Sequence, residues 1–299
     1  MRLGDFEIQL AGDGPFKLDG GSLFGIVPKP LWSRLVDCDE LNRVTLGMNC
    51  MVVRTPKQTV LIECGTGRKH GAKMRSIYGV SEKIDLVKSL GGLGLRPDDI
   101  SAVIVTHLHH DHAGTCTRLV DERFREAKDK VDHAVPTFPN ARYFIQRGEW
   151  EAATNSNPST KGTYLPENLV PLERAGQLEL LDGDCEPIPG ISVRVTGGHT
   201  DHHQAVIVES AGRGIIFIGD AAPIVPCMRP AYNTAFDHHP MDTMRAKAEL
   251  FDLAIRNDWL VWFYHEAQVA AARIEPGDGQ PQVASVEMKA PDLSGQGCD

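Results

Sequence analysis

The sequence predicts an α/β protein made of two stacked halves rather than one doubly wound sheet. Three observations carry this. Each half reads as strands, then a helix, then a strand that ends in residues of metal-ligating type. No short-period repeat runs through the chain, which excludes a solenoid. The glycine-rich stretch "GGLGLRPDD" follows a helix and precedes a strand, the wrong context for a dinucleotide phosphate loop.

Composition narrows the class of protein. The 299 residues are 41% hydrophobic and 24% charged, enough for one large core or two small ones. A net charge of −9 argues against a nucleic-acid partner, because an acidic protein gains nothing from counterion release. The densest basic stretch, "GRKHGAKMR" (67–75), reads as a solvated loop or helix face. The seven cysteines contain no C-x-x-C pair and are odd in number, which points away from a disulfide framework or thiolate zinc knuckle. Neither a signal-peptide core nor a run of ~18 apolar residues is present, so a cytoplasmic protein with no membrane partner is expected.

The elements follow in order. "FEIQLAG" alternates as a strand, and the turn-rich stretch after it leads to strands at 48–54 and 59–63. "SEKIDLVKSLGG" reads as a helix of about three turns, N-capped by Ser81 and ended by Gly91-Gly92. "ISAVIV" lacks alternation and is expected to be a strand covered on both faces. Residues 113–133 read as mostly helical, "ARYFIQRGEWEAAT" as a strand and helix start, and 155–172 as a long surface loop. "LELLDG", "ISVRVTGG" and a hairpin around Gly212–Gly214 supply further strands. "MDTMRAKAELFDLAIRND" is an amphipathic helix with Met244, Ala248, Phe251 and Ile255 on one face. "WLVWFYHE" is a last strand, and the tail from 275 to 299 is expected to have little order.

The chemistry concentrates at strand ends. Residues 107–112 hold four histidines and one aspartate directly after "ISAVIV". His199, Asp220 and His265 each end a later apolar run, and Glu63-Cys64 ends another. Loops leaving strand ends on one side of a sheet converge, so these groups are candidates for one site. A dimetal site needs about six or seven ligands, a bridging carboxylate and metals ~3.5–4 Å apart. His107, His109 and His199 suit one ion, Asp111, His112 and His265 the other, and Asp220 a bridge. His107 and His109, two apart in an extended segment, point the same way, while Asp111 and His112 turn away from them. His70, His133, His238 and His239 read as structural or surface residues, and a solvated loop is the bland alternative for the cluster itself.

"HLHHDH" at 107–112 resembles the H-x-H-x-D-H motif of the metallo-β-lactamase-fold superfamily, with His199, Asp220 and His265 in the order that superfamily uses. The resemblance, over roughly 40–270, implies an αβ/βα four-layer sandwich of two mixed sheets flanked by helices. One domain would cover 1–274, with 1–40 a strand and loop segment near the pocket. It also implies two divalent metal ions, with zinc first and manganese, iron or cobalt as alternatives. "LDGGSLFGIVPKPLWSRL", the segment after it and "GHTDHHQ" resemble the quorum-quenching lactonase and methyl parathion hydrolase-like branch, which aligns His203 and Gln204.

That resemblance implies a hydrolase in which a metal-bridging hydroxide opens a lactone such as an N-acyl homoserine lactone, with Asp111 and Asp220 taking the proton. Phosphotriester or aryl-ester hydrolysis is the alternative, and a mononuclear iron sulfur dioxygenase a more distant one. The substrate is thus a small molecule, and a homodimer is the candidate assembly. Two positions depart from the pattern: Glu63 replaces the usual aspartate beside a metal ligand, and Pro223 stands where bacillus-type lactonases have a tyrosine. Another group, or the metal, must then polarise the carbonyl. Phe16, Phe24, Ile26, Leu31 and Trp32 either roof an apolar pocket or pack on a sheet edge.

Overall fold

A computed structural model of the chain describes residues 1–80 and 83–291. The chain forms two compact units, one of Met1–Gly14 with Cys50–Gly183 and one of Pro15–Asn49 with the residues from 184 onward.

The first unit is built on a mixed seven-stranded sheet ordered Arg2–Leu3, Phe6–Gly12, Asn49–Arg54, Thr59–Ile62, Ala102–Ile104, Arg142–Gln146, Leu178–Leu181. The last four strands run parallel. Parallel neighbours need a crossover: Leu86–Gly92 lies in the first of the three, Arg147–Thr154 and Pro166–Arg174 lie in the last, and the only helices of the middle one are the single turn His110–Ala113 and 3₁₀ turns. Val60, Leu61, Ile62, Val103 and Ile104 are all buried, which is why these strands read as unbroken apolar runs.

The second unit holds the other seven-stranded sheet, ordered Cys185–Ile188, Ile191–Val195, Gln204–Ser210, Arg213–Phe217, Leu260–Trp262, Val269–Pro276, Pro281–Lys289. All of its pairs are antiparallel except Arg213–Phe217 with Leu260–Trp262, whose crossover is the helix Pro240–Arg256. The hairpin turns through Ala211 (φ 52°) and Gly212 (φ 74°), two left-handed residues as a two-residue loop requires.

Several expectations are corrected. Residues 113–133 are not mostly helical: short 3₁₀ turns surround the strand Thr117–Leu119, which pairs with Ala134–Pro136. The polar loop expected over 155–172 contains a helix from Pro166, because Pro166 occupies its first turn and Leu169 and Leu172 bury one face. The helix ending at Gly92 is capped by Asp85, whose side chain accepts from Lys88 N at 2.7 Å; Ser81 lies outside the described residues. In Pro240–Arg256 the buried face is Thr243, Lys247, Leu250, Phe251 and Ala254, one step round from the apolar stripe read in the sequence. The expected loose tail begins inside Val269–Pro276, which pairs with the long strand Pro281–Lys289. Residues 292–299 lie outside the described residues. Among the described residues no helix is long and apolar enough to cross a membrane.

Candidate metal centre

In the first unit the strand Ala102–Ile104 delivers the cluster. After a bend at Thr106 the chain reaches His109, the N-cap position of a single helical turn, His110–Ala113. His107, His109 and His112 are buried, and their rings meet: the His107 centroid lies 4.5 Å from that of His109 and 4.0 Å from that of His112. The expectation that His112 turns away from the first pair fails, because the helical turn carries its ring back against His107. Asp111 is half-buried.

Glu63 anchors this loop. It sits at the end of Thr59–Ile62 with φ 69°, a conformation that a side-chain-bearing residue adopts at a cost. One carboxylate oxygen accepts from Thr106 N at 2.8 Å, and the other lies 3.2 Å from His112 Nδ1. Backbone bonds Cys64 N–His112 O (2.8 Å), Gly114 N–Gly65 O (2.7 Å) and Thr115 N–Cys64 O (2.9 Å) zip the two strand ends together. A Cβ at Gly114 would lie 2.0 Å from Thr66 O, so only glycine allows this approach. On the other side, buried Glu149 accepts from Leu108 N and from the Tyr164 hydroxyl, both at 3.0 Å.

His110 carries no place in this ring cluster. It packs edge-on against His70 at 5.2 Å and tilted against Tyr78 at 5.0 Å. His70 Nε2 lies 2.6 Å from Thr66 Oγ1, and burial first, then neighbouring positive groups, hold it neutral with a pKa of about 3. The basic stretch 67–75 is therefore not all solvated: Lys69 and His70 are buried, and Lys69 Nζ donates to Gly114 O and to Thr117 O.

In the second unit His199 lies in the loop after Ile191–Val195, Asp220 in the 3₁₀ turn after Arg213–Phe217, and His265 just beyond Leu260–Trp262. All three are buried. Asp220 Oδ2 lies 3.3 Å from His199 Nε2, and its Oδ1 lies 3.5 Å from His265 Nε2. The far nitrogens are held from behind: His265 Nδ1 by Gly47 O at 3.0 Å, His199 Nδ1 by Asp237 Oδ1 at 2.9 Å. A carbonyl oxygen only accepts, so His265 carries its proton on Nδ1 and turns the Nε2 lone pair toward Asp220. Asp237 sets His199 the same way. Two lone pairs facing an ionised carboxylate demand either two adjacent buried imidazolium ions, which repel, or a bound cation, which the donor set fits.

His203, which the motif aligned, has a different task here. Its Nε2 accepts from Asp220 N at 3.1 Å while its Nδ1 meets Thr196 Oγ1 at 2.6 Å, so it positions the aspartate backbone. Pro223 supplies no hydroxyl; its carbonyl accepts from His265 N at 3.1 Å. Cys227 is buried, and burial pushes its thiol up to about 12. Of the five N-terminal apolar residues, Phe16, Phe24 and Trp32 are buried, whereas Ile26 (89%) and Leu31 (48%) are exposed. His133 stacks on Phe124, and His239 meets Asp201 at the surface. The residues that sequence reasoning missed are Glu149, Asp237, Thr106 and the Gly47 carbonyl. None lies in a recognisable pattern, and each is defined only by the ring or amide it contacts.

A family model for the metallo-β-lactamase superfamily matches residues 44–265. A probable metal-dependent hydrolase from Staphylococcus aureus is 30% identical, with a TM-score of 0.85 over 97% of this chain and 98% of that one. An N-acyl homoserine lactonase from Bacillus cereus is 26% identical over 59% of this chain. The chain spans 64% of that relative's length, and 45% of an N-acyl homoserine lactonase from a Bacillus species that is 30% identical. A dizinc quorum-quenching lactonase, AidC, solved with the product N-hexanoyl-L-homoserine, shares the fold at a TM-score of 0.76 and 15% identity, covering 96% of this chain and 97% of its own.

Proposed function

The chain belongs to the metallo-β-lactamase superfamily, and on that premise we propose that it is a dimetal-dependent hydrolase that opens lactone rings of the N-acyl homoserine lactone type. The observation that carries the metal reading is the paired orientation of His199 and His265, each held at Nδ1 and each presenting Nε2 to Asp220. On this reading His107, His109 and His199 would hold one ion and Asp111, His112 and His265 the second, with Asp220 as a shared carboxylate. The choice of lactone rests on the named relatives, and zinc is the first candidate because a structural neighbour is a dizinc enzyme.

Bound there, two divalent cations supply Lewis acidity and a water ionised near neutral pH. The chain's own residues do the rest. Gly47 O and Asp237 fix the tautomers of His265 and His199, so neither ring is a proton donor toward the reacting centre. Asp220, and the more exposed Asp111, are the carboxylates that take up the proton. Burial of the histidines excludes bulk water from the donor side. Ile26 and Leu31 are exposed, and on this reading they would offer apolar contact to an acyl chain. With proline at 223, no side-chain hydroxyl from that position reaches the substrate carbonyl.

The test is metal analysis combined with turnover of homoserine lactones, aryl esters and paraoxon-like triesters. Two ions per chain and lactone opening that is lost in His109→Ala are the expected results. One iron per chain with oxygen uptake on a thiol persulfide would sink the proposal, and triester turnover without lactone turnover would overturn its substrate.

A further inference from the structure

We propose that Lys247 is a positioning residue for the metal centre: its buried ammonium pegs the turn 227–233 and through it fixes Asp237, and so the orientation of His199. The inference rests on the reading of His199 as a metal ligand.

Lys247 lies on the buried face of Pro240–Arg256, 1% exposed, in a slot where an amphipathic helix normally carries an aliphatic residue. Burying an ammonium costs several kcal/mol unless its donors are satisfied. Here they are. Nζ donates to Tyr232 O at 2.8 Å, to Asn233 Oδ1 at 2.8 Å and to Cys227 O at 3.1 Å, which matches three N–H donors to three acceptors. These acceptors come from both ends of an irregular stretch that no sheet ladder holds. Asn233 is clamped in turn, donating through Nδ2 to Pro240 O at 3.0 Å.

From that peg the path to His199 is short. Thr234 follows Asn233 directly. Its hydroxyl donates to Asp237 Oδ1 at 2.7 Å, and its carbonyl accepts from Asp237 N at 3.3 Å. The same Asp237 oxygen meets His199 Nδ1. His238 N and His239 N then return to His199 O and Gly198 O at 3.2 and 2.8 Å. The orientation of His199 is thus decided by a loop, and Lys247 is the group that holds the loop to a helix. Burial pushes the Lys247 pKa down to about 8, and the Asp237 carboxylate opposes the drop.

The experiment compares the full-length wild type with Lys247→Met and with Asn233→Ala, which keeps the lysine and removes one of its acceptors. Zinc binding is followed by competition with a chromophoric chelator, and the His199 tautomer by imidazole nitrogen NMR of the apo protein. In both variants one of the two ions should bind about tenfold more weakly, as for loss of a group behind a ligand, with the other unchanged. The His199 signal should pass from one tautomer to a mixture. A lowered Tm with both ions at wild-type affinity and a single His199 tautomer would make the lysine merely structural and overturn the inference. Failure of the wild type to bind zinc would defeat the metal reading itself. The tautomer measurement then still decides whether Lys247 positions His199.

Discussion

The two units assemble their donor sets by opposite routes. In the first, the donors are packed into 107–112, and one strand end with a single helical turn brings three rings into contact. In the second, they are spread over 199, 220 and 265, each at the end of a different strand or loop, and the sheet brings them together. The supports differ accordingly. Glu63 serves the first cluster as a brace between two strand ends, bonding both Thr106 N and the His112 side. Asp237 serves the second from a loop that itself needs a peg. A contiguous cluster is rigid because its backbone is, whereas a dispersed one depends on the groups behind each ring.

This contrast can be broken by paired substitutions. Glu63→Ala and Asp237→Ala should each weaken metal binding by roughly 10- to 100-fold, read by chelator competition. They should part company in stability. Glu63→Ala strands a buried backbone amide at Thr106, worth about 1–3 kcal/mol, and keeps the strained φ, because alanine still carries a Cβ. Asp237→Ala strands a hydroxyl that can rotate toward other acceptors. Urea denaturation of the two apo proteins checks this, and equal losses would erase the distinction.

At Gly114 backbone alone is at stake, and the loss is expected in stability first. Gly114→Ala drives a methyl into Thr66 O and must separate the zipped strand ends, at a cost of about 1–3 kcal/mol. The Tm of the apo protein should fall, and zinc affinity should fall with it, since the 107–112 turn rests on that zipper. A Tm drop with zinc binding intact would show that the cluster is less dependent on its backbone than the comparison holds.

The last prediction is a slope rather than an offset. Buried Lys69, which donates to Gly114 O and Thr117 O, has its pKa lowered by burial from 10.5 to about 8. Between those pH values the unfolded chain binds more protons than the folded one, so stability rises with pH through that window. Urea denaturation across pH 8 to 10.5 should show that rise in the wild type and a flatter profile in Lys69→Met.

What the chain alone discloses follows the same contrast. The donor types and their order are legible because metal chemistry admits few residues, and because a burst of imidazole after an apolar run has few other uses. The buried parallel strands are legible from their unbroken apolar runs, and the hairpin from its glycines. The 113–133 and 155–172 segments misread because short 3₁₀ turns and a proline-started helix carry weak periodic signals, and the helix face at 240–256 misread because a buried lysine takes an aliphatic slot. Which nitrogen of each ring carries its proton, which carboxylate braces which strand end, and which lysine holds a loop are set by contacts between residues far apart in sequence. Such contacts depend on angles and distances of a few tenths of an ångström, and these exist only once the sheets have formed.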